Sequence, residues 1–281
     1  MNTATFMPSK KTFKHAVSFY TFASMNIPFY KYQGTGNDFV LIDNRFQIFD
    51  KNNAKLVAAL CDRRFGIGAD GLILLERHPT FDFRMVYYNS DGNESSMCGN
   101  GGSCITHFAK FLGIIETKAI FEAIDGMHSA TITEELVSLK MNDVNQIEVL
   151  EQGVYLDTGS PHHVVLVNKV QVMDVKKEGA AIRYNTYGEE GANINFVEAL
   201  KNDVFSVRTY ERGVENETLS CGTGVTAVAL ALFETGKTTN NVVVLKTLGG
   251  ELTVRFTKEG TIYKDIYLEG PAKQVFKGTW V

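Results

Sequence analysis

Met97-Cys98-Gly99-Asn100-Gly101 and Ser220-Cys221-Gly222-Thr223-Gly224 are one device written twice. Each reads Cys-Gly-x-Gly at the mouth of a helical pattern, and each pattern ends at a glycine. Gly113 lies 15 residues after Cys98, and Gly236 lies 15 after Cys221. The two cysteines are 123 apart, close to half the chain once the first two dozen residues are set aside. At that offset Tyr87 falls on Tyr210, Glu94 on Glu217, Gly99 on Gly222 and Gly101 on Gly224. At a nearly equal offset, the turn and strand Gly36–Val40 overlay Ser160–Val164. The period is too long for a solenoid. It predicts an α+β fold of two pseudo-symmetric repeated domains, each a set of strands wrapped around a central helix. The cleft between such halves is a favoured ligand site.

Hydrophobic spacing fills in the elements. Helices are expected over 53–61, 98–112, 174–184 and 222–234. The last is apolar all round, which marks a helix buried on every side. Strands are expected over 39–42, 72–75, 83–88, 119–123, 129–133, 137–141, 154–157, 163–167, 194–199, 204–210, 242–247, 252–256 and 262–268. Residues 158–162 read as a turn, which His162 caps in the simplest reading. The Gly-rich stretch 63–71 follows a helix and opens a strand, so it is not a dinucleotide fingerprint, whose glycines follow a strand and open a helix. The domains are read as 25–150 with Cys98 and 151–268 with Cys221. A segment 269–281 is expected to pack on the N-terminal domain.

Composition bounds the function. Apolar content of 44% and charged content of 21% are those of a soluble globular protein. A net charge of −4 gives no electrostatic footprint for nucleic acid or an anionic membrane. No apolar run approaches the 18 or so residues that span a bilayer. The four cysteines contain no CxxC and make no disulfide scaffold, which points to a reduced, cytoplasmic setting. Residues 1–24 carry Lys10, Lys11 and Lys14 and no acid. They lack the apolar core of a signal peptide and the arginines of a transit peptide, so a disordered or spurious leader is expected.

The paired motif carries the chemistry. A helix start presents unpartnered N–H groups and about half a positive charge. A thiolate placed there is stabilised, so depressed pKa values are expected for Cys98 and Cys221. The same N–H groups hold a carboxylate, and glycines admit it closely. Two such elements facing one α-carbon would set a sulfur on each of its faces. One thiolate could take a proton and the opposite thiol return one, inverting the centre without a cofactor. Cys61 and Cys104 read as small core residues. A Cys98–Cys221 disulfide remains an alternative. A metal site of Cys98, Cys104 and His107 matches no zinc spacing, and none is expected.

The stretches GTGNDFVLID, RRFGIGADG, YYNSDGNESSMCGNGGSC, GSPHHVV, GANINFV and YERGVENETLSCGTG resemble the diaminopimelate epimerase family, from about residue 31 to 270. The resemblance implies a cofactor-independent isomerase of lysine and peptidoglycan-precursor synthesis, a small-molecule substrate and a homodimer. It implies acid/base roles for Cys98 and Cys221. Gly99, Asn100, Gly222 and Thr223 would hold the reacting end. Asn37, Asn89, Asn193 and Arg212 match substrate-binding positions, and Arg212 suits a bidentate grip on a distal carboxylate. Glu211 matches a residue near the reacting amino group and the thiols, and His162 one that tunes their pKa. Two departures stand out: Ser160 replaces an Asn, and Gly71 a Gln, found in some members. Ser160 is kept as a substrate contact. Proline racemases share the fold and the two cysteines, and a proline or hydroxyproline racemase is the alternative. CGNG at the first site and Tyr210-Glu211-Arg212-Gly213 before the second favour the epimerase. A thiol-switched, non-catalytic binding module is the alternative of another class.

Overall fold

The computed structural model describes residues 26–95, 97–201 and 203–281; the leader expected over 1–24 lies outside the described residues. The first half runs β1 (Ile27–Gly34), β2 (Asn37–Asp43), α1 (Ala54–Cys61), β3 (Gly71–Glu76), β4 (Phe83–Asn89), α2 (Gly99–Phe111), β5 (Lys118–Ala123), β6 (Gly126–Thr133) and β7 (Leu136–Lys140). Then come β8 (Ile147–Leu150), β9 (Gly153–Asp157), β10 (Pro161–Leu166), α3 (Val175–Tyr187), β11 (Asn193–Ala199), β12 (Val204–Glu211) and β13 (Asn216–Thr218). The chain ends with α4 (Gly222–Glu234), β14 (Val242–Thr247), β15 (Gly250–Glu259), β16 (Ile262–Pro271) and β17 (Lys273–Trp280).

The pairing pattern repeats strand for strand. In one half β2 lies parallel to β3, β3 antiparallel to β4, and β4 parallel to β5. In the other, β10 lies parallel to β11, β11 antiparallel to β12, and β12 parallel to β14. Each half then ends in a meander, β5–β6–β7 and β14–β15–β16. An antiparallel pairing of β7 with β16 joins the two. The outermost strands cross over. β8, which follows the first half, pairs with β9 of the second, and β17, which follows the second half, pairs with β1 of the first.

Each half curls around one helix. α2 and α4 are both 13 residues long, begin 123 residues apart, and share a single apolar core. Every residue of α4 from Val225 to Leu232 is buried, as an all-round apolar sequence requires. Both helices stop the same way. Gly113 and Gly236 take φ of +70° and +68°, open to glycine without strain. The next residues turn back, Ile114 N–H to the Ala109 carbonyl and Lys237 N–H to that of Leu232. The shorter α1 and the polar α3 cover the outer faces of the sheet, each over its own small core.

Three expectations are corrected. Tyr87 does not overlay Tyr210. Tyr88 bridges Glu94 as Tyr210 pairs with Glu217, so Tyr88 is the counterpart. Tyr88 and Tyr210 point outward under α1 and α3, whereas Tyr87 packs against the inner core. β3 and β4 repeat at 122 in β11 and β12 while the helices repeat at 123, and a one-residue slip exchanges the faces of a strand. His162 caps no turn, because β10 already begins at Pro161. And β1, β8, β13 and β17 are strands where none was expected. β8 and β13 are short, β1 breaks its alternation at a register shift between Lys31 and Tyr32, and β17 at the sheet edge has no clean alternation of buried and exposed residues.

Candidate active site

Cys98 and Cys221 are the N-caps of α2 and α4, both in extended backbone (φ −95° and −127°), and neither sulfur makes a capping hydrogen bond. The two helix starts abut. A Cβ on Gly222 would lie 3.2 Å from the Cα of Gly99 and 2.9 Å from Leu268 Cδ2. Glycine at both positions is what lets the helices meet. Between them opens a cavity of about 900 Å³ lined from both halves.

Eleven of the thirteen residues singled out from the sequence line that cavity: Asn37, Asn89, Cys98 and Gly99 from one half, and Ser160, Asn193, Glu211, Arg212, Cys221, Gly222 and Thr223 from the other. Asn100 and His162 sit behind it, 3% and 0% exposed. Asn37 Oδ1 lies 3.4 Å from Cys98 Sγ, and its amide donates to Asp70 at 2.7 Å. Thr223 Oγ1 lies 3.5 Å from Cys221 Sγ. Asn193 donates to Ser160 Oγ at 2.9 Å and accepts from the backbone N–H of Arg212 at 2.9 Å, locking the β12–β13 turn to β11.

Sequence reasoning missed the brace that joins the halves. Thr35, buried and at φ +46°, donates to Ser220 Oγ at 2.8 Å and lies 3.3 Å from Asn100 Oδ1. The tip of the β1–β2 hairpin thus reaches the residue before Cys221. Its seat is Gly249, where a Cβ would fall 1.6 Å from the Thr35 carbonyl oxygen. A buried β-branched residue at positive φ is the signal, and it belongs to backbone, not to sequence.

The floors beneath the two thiols differ. Under α2 the inward residues are Phe39, Ile73 and Tyr87, with Ile73 Cδ1 against Gly101. Under α4 they are His162, Asn195 and Thr209, all buried, with Asn195 Oδ1 against Gly224. Thr209 donates to Asn195 Oδ1 at 2.9 Å, and the Asn195 amide donates to His162 Nδ1 at 3.1 Å. That places the ring proton on Nε2, which has no partner among the described residues. Burial, reinforced by the Arg212 charge, pushes His162 down to about 3, so the ring is neutral.

The expectation of depressed thiol pKa values is overturned in the free protein. Burial pushes Cys98 up to about 11, against the N–H groups of Gly101 and Asn100, with the Glu211 carboxylate adding to the rise. Burial and Glu211 push Cys221 higher, against Thr223 and the Gly224 N–H. Desolvation of the anion outweighs the helix dipole here. Burial also raises Glu211 itself. Among the described residues no group of His, Cys, Asp and Glu is arranged to hold a metal ion, and no helix is long and apolar enough to cross a membrane. All four cysteines are free.

The family model described as diaminopimelate epimerase matches residues 29–146 and 154–275. The chain is 58% identical over 252 residues to the diaminopimelate epimerase of Flavobacterium psychrophilum, covering 89% of this chain and 98% of that protein. It is 46% identical over 256 residues to that of Chlorobaculum tepidum, covering 88% and 98%. Among solved structures, a Bacillus anthracis phenazine biosynthesis protein of the PhzF family superposes with a TM-score of 0.74 at 15% identity, covering 91% and 99% of the two chains. An Agrobacterium vitis hydroxyproline epimerase with bound trans-4-hydroxy-L-proline superposes at 0.66 and 14% identity, covering 92% and 93%. At such identities these two show the fold alone.

Proposed function

We propose, from the premise that this chain belongs to the diaminopimelate epimerase family, that its two thiols interconvert L,L- and meso-2,6-diaminopimelate by direct proton exchange at one α-carbon. The chain is an isomerase of lysine biosynthesis by that membership. The observation that carries the two-thiol reading is the meeting of two N-cap cysteines at abutting helix starts inside one cavity.

The reaction needs no atoms beyond substrate and protein. One cysteine, as thiolate, removes the α-hydrogen as a proton, and the electron pair spreads into the α-carboxylate. The other, as thiol, delivers a proton to the opposite face. Thiol and thiolate end exchanged, ready for the reverse direction. Gly99, Asn100, Gly222 and Thr223 at the helix starts hold the α-carboxylate, and both dipoles stabilise its growing charge. Glu211 faces the α-ammonium. That cation offsets the Glu211 charge which raises both thiols, so the substrate itself assists formation of the thiolate. Arg212 holds the distal carboxylate, with Asn37, Asn89, Ser160 and Asn193 fixing the polar groups of the chain between. His162 is neutral, so its influence on the thiols is that of a dipole and not of a charge. The free cysteines suit a reduced cytoplasm, and the family resemblance suggests a homodimer of chains divided near residue 150.

The test is L,L-diaminopimelate in heavy water with reduced protein and no added cofactor. Meso product carrying α-deuterium is expected. Absence of both product and exchange would overturn the reading.

A further inference from the structure

Tyr87 is the inward residue of β4 that emerges at the cavity. Phe83 and Met85, four and two positions earlier on the same face, are buried in the core. The ring stands edge-on to Phe39, with centroids 6.0 Å apart at 76°, and so is held in place. It lies over Gly71. A Cβ at Gly71 would sit 2.5 Å from Tyr87 Cε2 and 3.1 Å from its hydroxyl oxygen, so the glycine is the seat of the ring. The hydroxyl lines the cavity and no hydrogen bond to it is made by any described residue. Tyr87 is half-buried, so the ring is fixed while its hydroxyl stays open to the cavity. The equivalent inward position of the other half, Thr209, spends its hydroxyl on Asn195. Tyr87 alone of the pair is left facing the ligand space.

Its surroundings fix what it can offer. Burial and the nearby Cys98, Glu211 and Asp70 all oppose loss of the phenol proton. The group therefore keeps its proton and can donate it. Glu211 is the carboxylate in the same cavity left to face an ammonium, since Asp70 is held by Arg63 and Asn37, whereas a neutral donor suits a carboxylate oxygen.

We propose that Tyr87 is a further substrate-contact residue on the Cys98 side of the cleft, its phenol donating to the carboxylate of the substrate that does not react, with Gly71 the companion that seats it. This rests on the diamino diacid reading above. A hydrogen bond to a group that is charged throughout the reaction strengthens substrate and transition state alike, so its loss falls on KM. Tyr87→Phe keeps the ring and removes only the hydroxyl. The expected result is kcat/KM lower by about ten- to a hundredfold, carried by KM, with kcat within about threefold and an unchanged melting temperature. Gly71→Ala would displace the ring but would also meet the Tyr88 carbonyl oxygen at 2.5 Å, so it is expected to lower the melting temperature as well as raise KM. Wild-type activity with Tyr87→Phe within about twofold of it would overturn this proposal alone. A loss confined to kcat would overturn it as well. Wild-type protein that neither binds nor epimerises the diamino diacid would overturn the functional reading, and this contact with it.

Discussion

Gly99 and Gly222 touch across the pseudo-symmetry axis, each within 3.4 Å of where a Cβ on the other would stand. The first turns of two helices from different halves are thereby pressed together, and the cysteine before each glycine is carried to the same cavity. Gly222→Ala would force the helix starts apart against a backbone atom that cannot yield. A destabilisation of about 1–3 kcal/mol is expected, with activity lower by a hundredfold or more. Adding Leu268→Ala frees the side-chain half of the clash but not the Gly99 Cα. Thermal melts should recover in part while the rate does not. Full recovery of rate would show that the close approach is not needed.

Removal of either thiol leaves one face of the α-carbon without an acid or base. Cys98→Ala and Cys221→Ala are each expected to lower turnover by at least about a thousandfold. The two together should be little worse than either alone, because both are needed in one step. Steady-state rates of the three variants decide it, and either single variant running at the wild-type rate would end the two-thiol reading.

The raised thiols give a pH signature. With Cys98 at about 11 in the free protein, roughly one molecule in ten thousand carries its thiolate at pH 7. Alkylation of Cys98 by iodoacetamide should rise about tenfold per pH unit and level off near 11. The sign for stability follows. A folded pKa above that of the unfolded thiol means that the stability it contributes is present below about pH 8.5 and is lost as pH climbs through 11. A plateau already reached at neutral pH would show that the dipole wins after all.

A buried lysine depends on one carboxylate. Lys31, 6% exposed, lies 2.7 Å from Asp38, which also binds Arg63 at 2.7 Å. Burial pushes Asp38 up, but Arg63 and Lys31 together outweigh it and hold the carboxyl at about 2. Its folded pKa is depressed, so its stabilisation is present above about pH 4 and fades as pH falls toward 2. Asp38→Ala leaves the Lys31 ammonium uncompensated and should cost about 3–5 kcal/mol in denaturant unfolding. A cost under about 1 kcal/mol would mean that Lys31 finds water or another partner.

The parts of this fold that were legible are those with steep local chemistry. The two Cys-Gly-x-Gly starts, the αL glycines at 113 and 236 and the unbroken apolar face of α4 all stand in the sequence as residue types. From them came both helices and the pseudo-symmetry. The illegible parts depend on partners far along the chain. Nothing in Lys273–Trp280 marks it as the neighbour of Ile27–Gly34, and five of its eight residues are exposed. The thiols were misjudged for a related reason. A helix dipole is visible in the motif itself, whereas burial is conferred by everything that packs around it. Tyr87 falls on Tyr210 in the sequence because the helix offset of 123 overlays two tyrosines where the strand register has slipped by one, and Tyr88 is the counterpart.

The exchanged outer strands have a bearing on how the molecule is made. Ile27 faces Trp280 across the sheet, so β1 is made about 250 residues before the strand that covers its outer edge and must wait for it. Until then β1 has one open edge, with its N–H and carbonyl groups free to pair with another nascent chain. The second half suffers no such delay, since β8 is synthesised just before β9. A ribosome stalled before residue 273 therefore holds a protein whose catalytic motifs are both present and whose first half is unfinished.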